Sequence, residues 1–405
     1  MEVVDDIVIV GAGIAGLATA LGLHRMGLRS LVLESSESLR ITGHALATWT
    51  NAWKALDALG IGDNIRQQHV QIQGVVYASV ATGLTISETS FMGRGKCGDH
   101  EIRCVKRKLL IEVLENELPR GTIRFGSKVV SIEERETLKL VYLADGSVLK
   151  TKVLIGCDGV NSVVAKWLGL QRPVFAGRSA IRGAAELPEG HGLKPKLFQY
   201  FGDGFRSGFA PCDDKTVYWF FAFSPPSHEK DGEHNDPAKM KQFVLSKLHK
   251  APKEVTDVLE KTELDAFISS PLRYRLPWNV LWGHTWKGTV CVAGDAFHPM
   301  TPDLGQGGCS ALEDAVTLAR CLGEALLGEP REEAEYDRIK RGVEKYAKER
   351  RWRGCELIAT AYVSGVIQQS GWVVRNLLRN NFLAGLMAGM LLKKADFDCG
   401  KLYGP

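Results

Sequence analysis

The segment IVIVGAGIAG, residues 7–16, decides the expected fold of this chain. Four apolar residues typical of a buried strand lead into a turn that contains three glycines: Gly11, Gly13 and Gly16. An apolar helical pattern follows to residue 26, and a second short apolar run occupies 30–33. Glycines in such a turn let a pyrophosphate approach the N-terminus of the following helix. The sequence therefore predicts a doubly wound α/β domain that binds a dinucleotide.

The residue after the second strand indicates the kind of nucleotide. Glu34 stands eighteen residues after Gly16, where a carboxylate accepts hydrogen bonds from ribose hydroxyls and repels a 2′-phosphate. Together with the turn, which also contains Ala15, this predicts an ADP-containing cofactor, either FAD or NAD. A glycine turn that binds no nucleotide is the structural alternative, and the flanking strands and the acid weigh against it.

A second motif, far along the chain, favours FAD over NAD. The apolar strand 290–293 leads to Gly294 and Asp295, and the turn 302–308 leads into a helix predicted to start near Ser310. An acid here can bind ribityl hydroxyls, and a helix that begins with glycines offers N–H groups and a positive dipole end to the flavin. The glycines predicted to do so are Gly305, Gly307 and Gly308. An ordinary loop before a helix is the alternative.

A third motif runs from a buried strand into a glycine-containing turn. In 154–162 the strand reaches Asp158, which is followed by Gly159 and a short helical pattern. Asp158 is a candidate cofactor ligand, but an Asp or Ser at this place can equally cap the helix that follows. The sequence leaves both roles open.

These motifs resemble those of the single-component, class A flavoprotein monooxygenases, the group that contains para-hydroxybenzoate hydroxylase, salicylate hydroxylase and zeaxanthin epoxidase. The resemblance covers nearly the whole chain. The segment GQGGCSALED at 305–314 strongly resembles the plant members of the family. A further family element matches Val105-x-Arg107-x-x-Leu110 and implies that Arg107 contacts FAD; an ordinary ion pair is the alternative. Pro302 matches a family proline beside the flavin ring, with a plain turn proline as the alternative.

The resemblance implies both a fold and a reaction. The implied fold is a doubly wound FAD-binding domain interleaved with a β-sheet substrate domain and followed by C-terminal helices. In the implied reaction NAD(P)H reduces FAD, O₂ adds to give a flavin C4a-hydroperoxide, and one oxygen atom hydroxylates or epoxidises a small aromatic or unsaturated metabolite. An FAD-dependent oxidase, dehydrogenase or oxidative-rearrangement enzyme on the same fold is one alternative. A catalytically silent FAD-fold binding protein is another.

Composition changes along the chain agree with that division. Mixed α/β patterns give way near residue 173 to turn-separated, aromatic-rich segments that indicate antiparallel strands, and helical patterns dominate from 332. Three regions are expected. The FAD-binding region comprises 1–74, 98–172 and 287–331, the substrate sheet comprises 75–97 and 173–286, and the C-terminal helices occupy 332–405.

The inserted sheet supplies the expected wall of the substrate site. Strands 197–201 and 217–223 are rich in aromatic residues, and alternation gives the second strand two aromatic faces, with Tyr218 and Phe220 opposite Trp219. The residues predicted to bind substrate are Tyr200, Trp219 and Phe221. An aromatic core is the alternative for all three.

Catalytic residues are harder to assign, because this chemistry needs a dry, well-shaped site more than covalent help from the protein. His44 lies in a loop that the family places near the flavin or its phosphates, so it is a candidate proton donor or electrostatic element. His44 and Pro302 are the two catalytic candidates.

Charge, cysteine usage and hydropathy exclude other classes. A net charge of +4 over 405 residues is too small for nucleic-acid binding, and the basic cluster 348–353 is interpreted as a solvated helix face. The nine cysteines have no metal-binding or disulfide-framework spacing, so no metal is expected and a reducing compartment, by default the cytoplasm, fits best. The apolar stretch 382–392 is too short to span a bilayer, and a docked helix is favoured over peripheral membrane contact. The expected partners are a small-molecule substrate and O₂, with no prediction of oligomeric state.

Overall fold

A computed structural model describes residues 4–40, 43–80, 82, 84–225, 236–328, 334–369 and 381–402, with 369, 381–384 and 386 described by their backbone alone. The strands are β1 (Val4–Val10), β2 (Leu31–Leu33), β3 (Ala45–Thr48), β4 (Gly74–Ser79), β5 (Thr85–Ser90), β6 (Arg94–Gly95), β7 (Gly98–Asp99), β8 (Arg103–Lys106), β9 (Ile123–Arg124), β10 (Val129–Arg135), β11 (Leu138–Leu143), β12 (Val148–Gly156), β13 (Val174–Glu186), β14 (Leu197–Gly202), β15 (Phe205–Pro211), β16 (Thr216–Phe223), β17 (Ile268–Tyr274), β18 (Trp286–Lys287) and β19 (Val290–Val292).

The α-helices are α1 (Ile14–Arg25), α2 (Thr50–Ala58), α3 (Gly62–Arg66), α4 (Arg107–Asn116), α5 (Val163–Trp167), α6 (Pro237–Lys247), α7 (Lys253–Lys261), α8 (Pro277–Leu281), α9 (Gly307–Leu327), α10 (Glu335–Gln369) and α11 (Asn381–Ala395). Single turns of 3₁₀ helix occur at Gly159–Asn161, Leu264–Ala266, Gly294–Ala296 and Pro302–Leu304.

The larger sheet forms the cofactor-binding region. Its strand β1 runs parallel to β2 and to β12, and β19 joins β12 in parallel near the end of that strand. The strand order is β10-β11-β12-β1-β2-β9, with β19 beside β12 and β18 beside β19. Ile9 of β1 packs in a core that includes α1 and α9, whereas Val8 packs on the other face with Val164 of α5. Burial on both faces explains why this strand is a continuous apolar run, and it confirms the doubly wound α/β prediction.

The second sheet has seven strands in the order β17-β13-β16-β15-β14-β4-β5. Strands from two distant parts of the chain meet in this sheet, where β4 pairs with β14. That pair is parallel, whereas all the other neighbouring strands of the sheet are antiparallel. This confirms a β-sheet region interleaved with the cofactor-binding region. The residue boundaries proposed for the regions remain a prediction.

Helices α6 and α7 cover one face of the second sheet. Trp219 and Phe221 of β16 pack there in one core with Val244 of α6 and Leu259 of α7. The next residue along the strand, Phe220, faces the opposite way, toward the cofactor-binding region. The helices therefore determine which face of the sheet is core.

The C-terminal helices pack against the cofactor-binding region. Helix α9 lies against α1, α2 and α10, and α11 contributes Met387, Ala388 and Leu391 to the main core. This packing favours the docked helix expected at 382–392. Among the described residues, no helix is both long enough and apolar enough to cross a membrane.

The interpretation of 348–353 as a solvated helix face is wrong in part. Lys348 is exposed, but Arg350 and Arg353 are buried against α9, where they pair with Glu313. In a helix, residues three apart share a face. The face that carries these two arginines points into the body of the protein, so their charges stabilise internal packing.

Candidate cofactor and substrate site

A cavity of about 500 Å³ lies between the cofactor-binding region and the inserted sheet. The cofactor-binding region contributes Arg107, Asp295 and the turn 301–308, while the inserted sheet contributes Tyr218 and Phe220. Six of the residues predicted from sequence line this cavity, namely Arg107, Asp295, Pro302, Gly305, Gly307 and Gly308. The residues predicted to bind ADP lie outside it, around the ends of β1 and β2.

The glycine turn after β1 has the shape that the sequence predicts. Gly11 adopts φ +99°, and a Cβ there would lie 2.6 Å from the carbonyl oxygen of Cys157. A Cβ on Gly16 would lie 1.9 Å from the carbonyl oxygen of Gly11, so neither position admits a side chain. Gly13, by contrast, has open space on its Cβ side. The turn is therefore closed toward β12 and open at the start of α1, where a phosphate group can approach the helix N-terminus.

Glu34 holds this turn in place. One carboxylate oxygen accepts a hydrogen bond from the Ala12 N–H at 2.9 Å, and the other accepts one from the Ser36 N–H at 2.9 Å. Burial alone raises the pKa of Glu34, but these N–H donors outweigh it and lower the pKa. The carboxylate is therefore ionised at neutral pH, as a ribose-binding acid must be. Its contact with ribose remains a prediction.

Asp295 and Arg107 form the charged part of the cavity. The turn Gly294–Ala296 follows β19, where Gly294 adopts φ +59° and a Cβ would lie 2.7 Å from that of Ala15, so the position requires glycine. The Asp295 side chain is exposed to the cavity, and desolvation by the surrounding protein raises its pKa against the opposing charges of His298 and Arg107. The cavity thus presents a carboxylate, suited to sugar hydroxyls, beside a guanidinium.

The glycines of 305–308 bring backbone to the cavity surface. Gly305 has a left-handed φ of +62°, and a Cβ there would lie 3.0 Å from the Trp49 indole nitrogen. A Cβ on Gly308 would lie 2.6 Å from the Leu46 side chain. Helix α9 begins at Gly307, three residues before the predicted start, so its free N–H groups come from glycines at the cavity wall. These N–H groups suit the pyrimidine edge of a flavin.

Several polar atoms on the cavity wall have no protein partner. Buried donors without a hydrogen bond among the described residues include Trp49 Nε1, Arg107 Nε and Thr301 Oγ1, and all three residues line the cavity. Buried donors are rarely left unpaired unless a ligand or water satisfies them. Together with Asp295 and the glycine turn, they fit a polar, ring-containing cofactor such as FAD.

Ser162 is the N-cap of α5, and its hydroxyl accepts a hydrogen bond from the Ala165 N–H at 2.8 Å. Asp158 supports this cap, because its carboxylate accepts hydrogen bonds from the Ser162 hydroxyl at 2.5 Å and the Val163 N–H at 2.6 Å. Its backbone lies against the glycine turn, since a Cβ on Gly11 would be 3.0 Å from the Asp158 Cα. The structure shows the capping contact, and binding of the cofactor by Asp158 stays a prediction.

The two catalytic candidates lie in different places. Pro302 lines the cavity, next to the glycine turn. His44 adopts a left-handed φ of +48° between Gly43 and Ala45, which both line the cavity, and its ring Nε2 has no partner among the described residues. Burial lowers the pKa of His44, and the Arg182 charge acts in the same direction. His44 is therefore a neutral ring at neutral pH, at the junction with the inserted sheet.

The predicted substrate wall is wrong. Tyr200, Trp219 and Phe221 are buried in the core on the helix-covered face of the sheet, where Trp219 donates to the Thr262 hydroxyl at 3.0 Å and Phe221 stacks on Phe205. The cavity is lined instead by their strand neighbours, which are Gln199, Tyr218 and Phe220. Alternation along the strands was predicted correctly. The choice of face was not, because it depends on where α6 and α7 pack.

An ion triad that the sequence did not reveal joins three parts of the molecule beside the cavity. Asp303, in the turn before α9, pairs with Arg178 of β13 at 2.8 Å and with Arg206 of β15 at 3.1 Å. Arg206 also donates to Gln368 of α10. Helix α10 packs closely here, since a Cβ on Gly365 would lie within 2.3 Å of Asp303. The triad therefore fixes the cavity turn relative to the inserted sheet.

A second buried network lies under the Gly294 turn and was also missed. Asp314 accepts hydrogen bonds from the Gly294 N–H at 2.8 Å, from His298 at 2.6 Å and from Arg350 at 2.6 Å. Glu313 pairs with Arg350 and Arg353. The adjacent acids within an apolar helical pattern were the available sequence signal. Their arginine partners stand 36 to 40 residues later in a different helix, α10, so helical periodicity does not reveal the pairing.

The glycine turn, the Asp295 turn and a cavity shared with an inserted sheet define an FAD-dependent oxidoreductase. The model of the FAD binding domain family matches residues 5–359, and the chain belongs to that family, among the class A flavoprotein monooxygenases. FAD is its cofactor.

Known proteins agree with this assignment. The chain is 53% identical to Monooxygenase 2 of Arabidopsis thaliana, over 98% of each chain. It is 29% identical to the FAD-dependent urate hydroxylase of Mycolicibacterium vanbaalenii, over 77% of this chain and 78% of that protein. The structure of Klebsiella pneumoniae HpxO with FAD and uric acid superposes with a TM-score of 0.80 at 23% identity, over 98% of both chains.

Proposed function

We propose that this enzyme uses NAD(P)H and O₂ to hydroxylate or epoxidise a small aromatic or unsaturated metabolite. The observation that carries the proposal is one cavity that joins the Asp295 and Gly305–Gly308 turns to the Tyr218 and Phe220 wall. When bound, FAD accepts electrons from NAD(P)H and activates O₂, by the route that the family resemblance implies. The protein's own work is to bind, to orient and to exclude water.

Each cofactor contact in this proposal is assigned to a residue whose position suits it. Gly11 and Gly13 would receive the pyrophosphate, and Glu34 the adenosine ribose. Asp295 would bind ribityl hydroxyls, with Arg107 beside it, while the α9 N-terminus would face the flavin ring. Pro302 and His44 remain candidates for contact with the reacting groups.

The cavity wall supports a flat substrate that carries an acidic group. Phe220 and Tyr218 offer ring surface, and Arg182 lines the same cavity, where its positive charge also acts on the Asp295 carboxylate. A partly buried guanidinium favours a negatively charged ligand. The urate hydroxylase relative supports this class, because urate is a flat, acidic ring system.

The first test is the identity and affinity of the cofactor. Heat-released cofactor from the purified protein should be FAD, and Asp295→Ala should weaken FAD binding. Loss of one charge-assisted hydrogen bond costs about 1.5–3 kcal/mol, or roughly 10-fold to 150-fold in the dissociation constant. Asp203→Ala is the matched control, because this acid lies in an exposed turn. Equal FAD affinity in both variants would show that Asp295 does not bind the cofactor.

The second test is a metabolite screen on the purified holoenzyme. Flat aromatic and unsaturated acids should accelerate NADPH or NADH oxidation, and Arg182→Met should raise the concentration of acid needed for half-maximal rate. A neutral analogue of the same ring serves as the control ligand, since its binding should change little. An enzyme that no such compound accelerates would contradict the monooxygenase proposal and favour a different FAD reaction or a binding role.

A further inference from the structure

Two buried cysteines meet at the junction between the two regions of the molecule. Cys104 lies in β8, and Cys212 follows directly after β15. Their sulfur atoms are 3.5 Å apart, close enough for one thiol to donate a hydrogen bond to the other. Both side chains are buried in a small cluster with Ala45 and Ala210. The pair thus links the cofactor-binding region to the inserted sheet.

The backbone around both cysteines is held in place. The Val70 N–H donates to the Cys212 carbonyl at 3.0 Å, and the Cys212 N–H donates to Thr216 at 2.8 Å. Next to the pair, Lys106 and Asp213 form an ion pair at 2.5 Å across the same junction. A disulfide has a sulfur–sulfur distance of about 2.05 Å, so closure needs a shift of only about 1.5 Å.

Cys104 is also accessible from the cavity. Among the nine cysteines, all of which lie in the described part of the chain, Cys104 is the one that lines the cavity wall. Cys212 lies behind it and does not line the cavity. A small neutral oxidant in the cavity therefore reaches Cys104 first and finds Cys212 positioned to complete the reaction.

We propose that Cys104 and Cys212 are an oxidation site, which hydrogen peroxide converts to a reversible disulfide between the two regions. Peroxide first oxidises the Cys104 thiol to a sulfenic acid and releases one water molecule. The Cys212 sulfur then attacks the sulfenic sulfur, forming the disulfide and releasing a second water molecule. Two thiol hydrogens are removed and one peroxide is reduced to two waters. A dithiol reductant reverses the change.

The resting state of the pair makes this response slow and selective. The hydrogen bond to Cys212, together with burial, raises the pKa of the Cys104 thiol well above its usual range. Because the thiolate is the reactive form, peroxide oxidises this thiol slowly, and burial also keeps bulky thiol reagents in bulk solvent away from it. Oxidation then depends on peroxide that enters or arises within the cavity. The crosslink, once formed, ties β8 to the end of β15 in the inserted sheet.

The test uses FAD-loaded, full-length protein treated with added hydrogen peroxide, so its result does not depend on the proposed monooxygenase activity. After quenching with an alkylating reagent, non-reducing peptide mapping should find a peptide pair joined through Cys104 and Cys212. The unfolding temperature should rise with crosslinking and return after dithiothreitol. Cys355→Ser, at a half-buried cysteine in α10, is the control and should form the same crosslink.

Single variants test the order of events. In Cys212→Ser, Cys104 should be trapped as a sulfenic acid that a dimedone probe labels; in Cys104→Ser, Cys212 should stay unmodified at the same peroxide dose. Absence of the linked peptide from folded wild-type protein would overturn the proposal. So would pairing with a third cysteine, faster oxidation of Cys212 than of Cys104, or an unfolding temperature that crosslinking leaves unchanged. If a variant fails to fold, peptide mapping of the peroxide-treated wild-type protein tests the proposal by itself.

Discussion

Strand β16 presents similar aromatic rings to two different environments. On one face Trp219 and Phe221 are buried under α6 and α7, within an apolar core. On the other face Tyr218 and Phe220 stay partly exposed and line a cavity that also contains charged groups. Aromatic content therefore does not distinguish the core face of the strand from its cavity face. What distinguishes them is which face the covering helices leave open.

The largest expected effect falls on the core face. Trp219→Ala removes a fully buried ring and its hydrogen bond to Thr262, which should lower the free energy of unfolding by about 3–5 kcal/mol. Urea unfolding followed by far-UV circular dichroism measures this change. Phe220→Ala is the matched cavity-face variant and should cost much less. Equal losses in the two variants would remove the distinction between the faces.

Lowering the pH should have a smaller effect on stability. It should act through buried acids and not through the aromatic core face of β16. Burial alone raises the pKa values of Glu313 and Asp314, but the charges of Arg350 and Arg353 around Glu313, and of His298 and Arg350 around Asp314, lower both. A lowered folded-state pKa gives stability that is present above the unfolded values, about 3.9 for Asp and 4.3 for Glu, and is lost as pH falls through the folded values.

We therefore expect the contribution of these two acids to the free energy of unfolding to stay constant from pH 7 to about pH 5 and to fall below about pH 4. Glu313→Gln should reduce the steepness of that fall. Trp219→Phe is the control, because it weakens the core face without removing a carboxylate, so its slope should match that of the wild type. A wild-type stability that is flat to pH 3 would contradict the role assigned to the buried acids.

The smallest effect on stability, with the clearest effect on chemistry, should come from the cavity face. Phe220→Gln should change the free energy of unfolding by about 1 kcal/mol or less. It should also admit water beside the flavin, so that more electrons from NADPH reach hydrogen peroxide instead of product. Phe220→Leu keeps the wall apolar and should stay better coupled. Peroxide and product per NADPH are the quantities to measure, and equal ratios in both variants would place Phe220 away from the reaction.

The sequence predicted the cofactor-binding half more fully than the inserted half. Residues 7–16 and 290–308 carry local signals, because glycines with positive φ and an acid after a strand leave a mark on a few adjacent residues. The wall could not be predicted in the same way, because alternation identifies two faces without saying which one α6 and α7 cover. The pairs formed by Asp303 with Arg206 and by Asp314 with Arg350 join residues far apart in sequence, so no local pattern reports them.

In the proposed reaction this chain transfers an oxygen atom from O₂ to a substrate held against Phe220 and Tyr218. The most direct measurement is a turnover in ¹⁸O₂ with the acid that the screen identifies, followed by mass spectrometry of the product. We expect one ¹⁸O atom in each product molecule and the consumption of one NADPH for each product formed. An oxidised product without label, accompanied by one hydrogen peroxide per turnover, would contradict it and identify an oxidase.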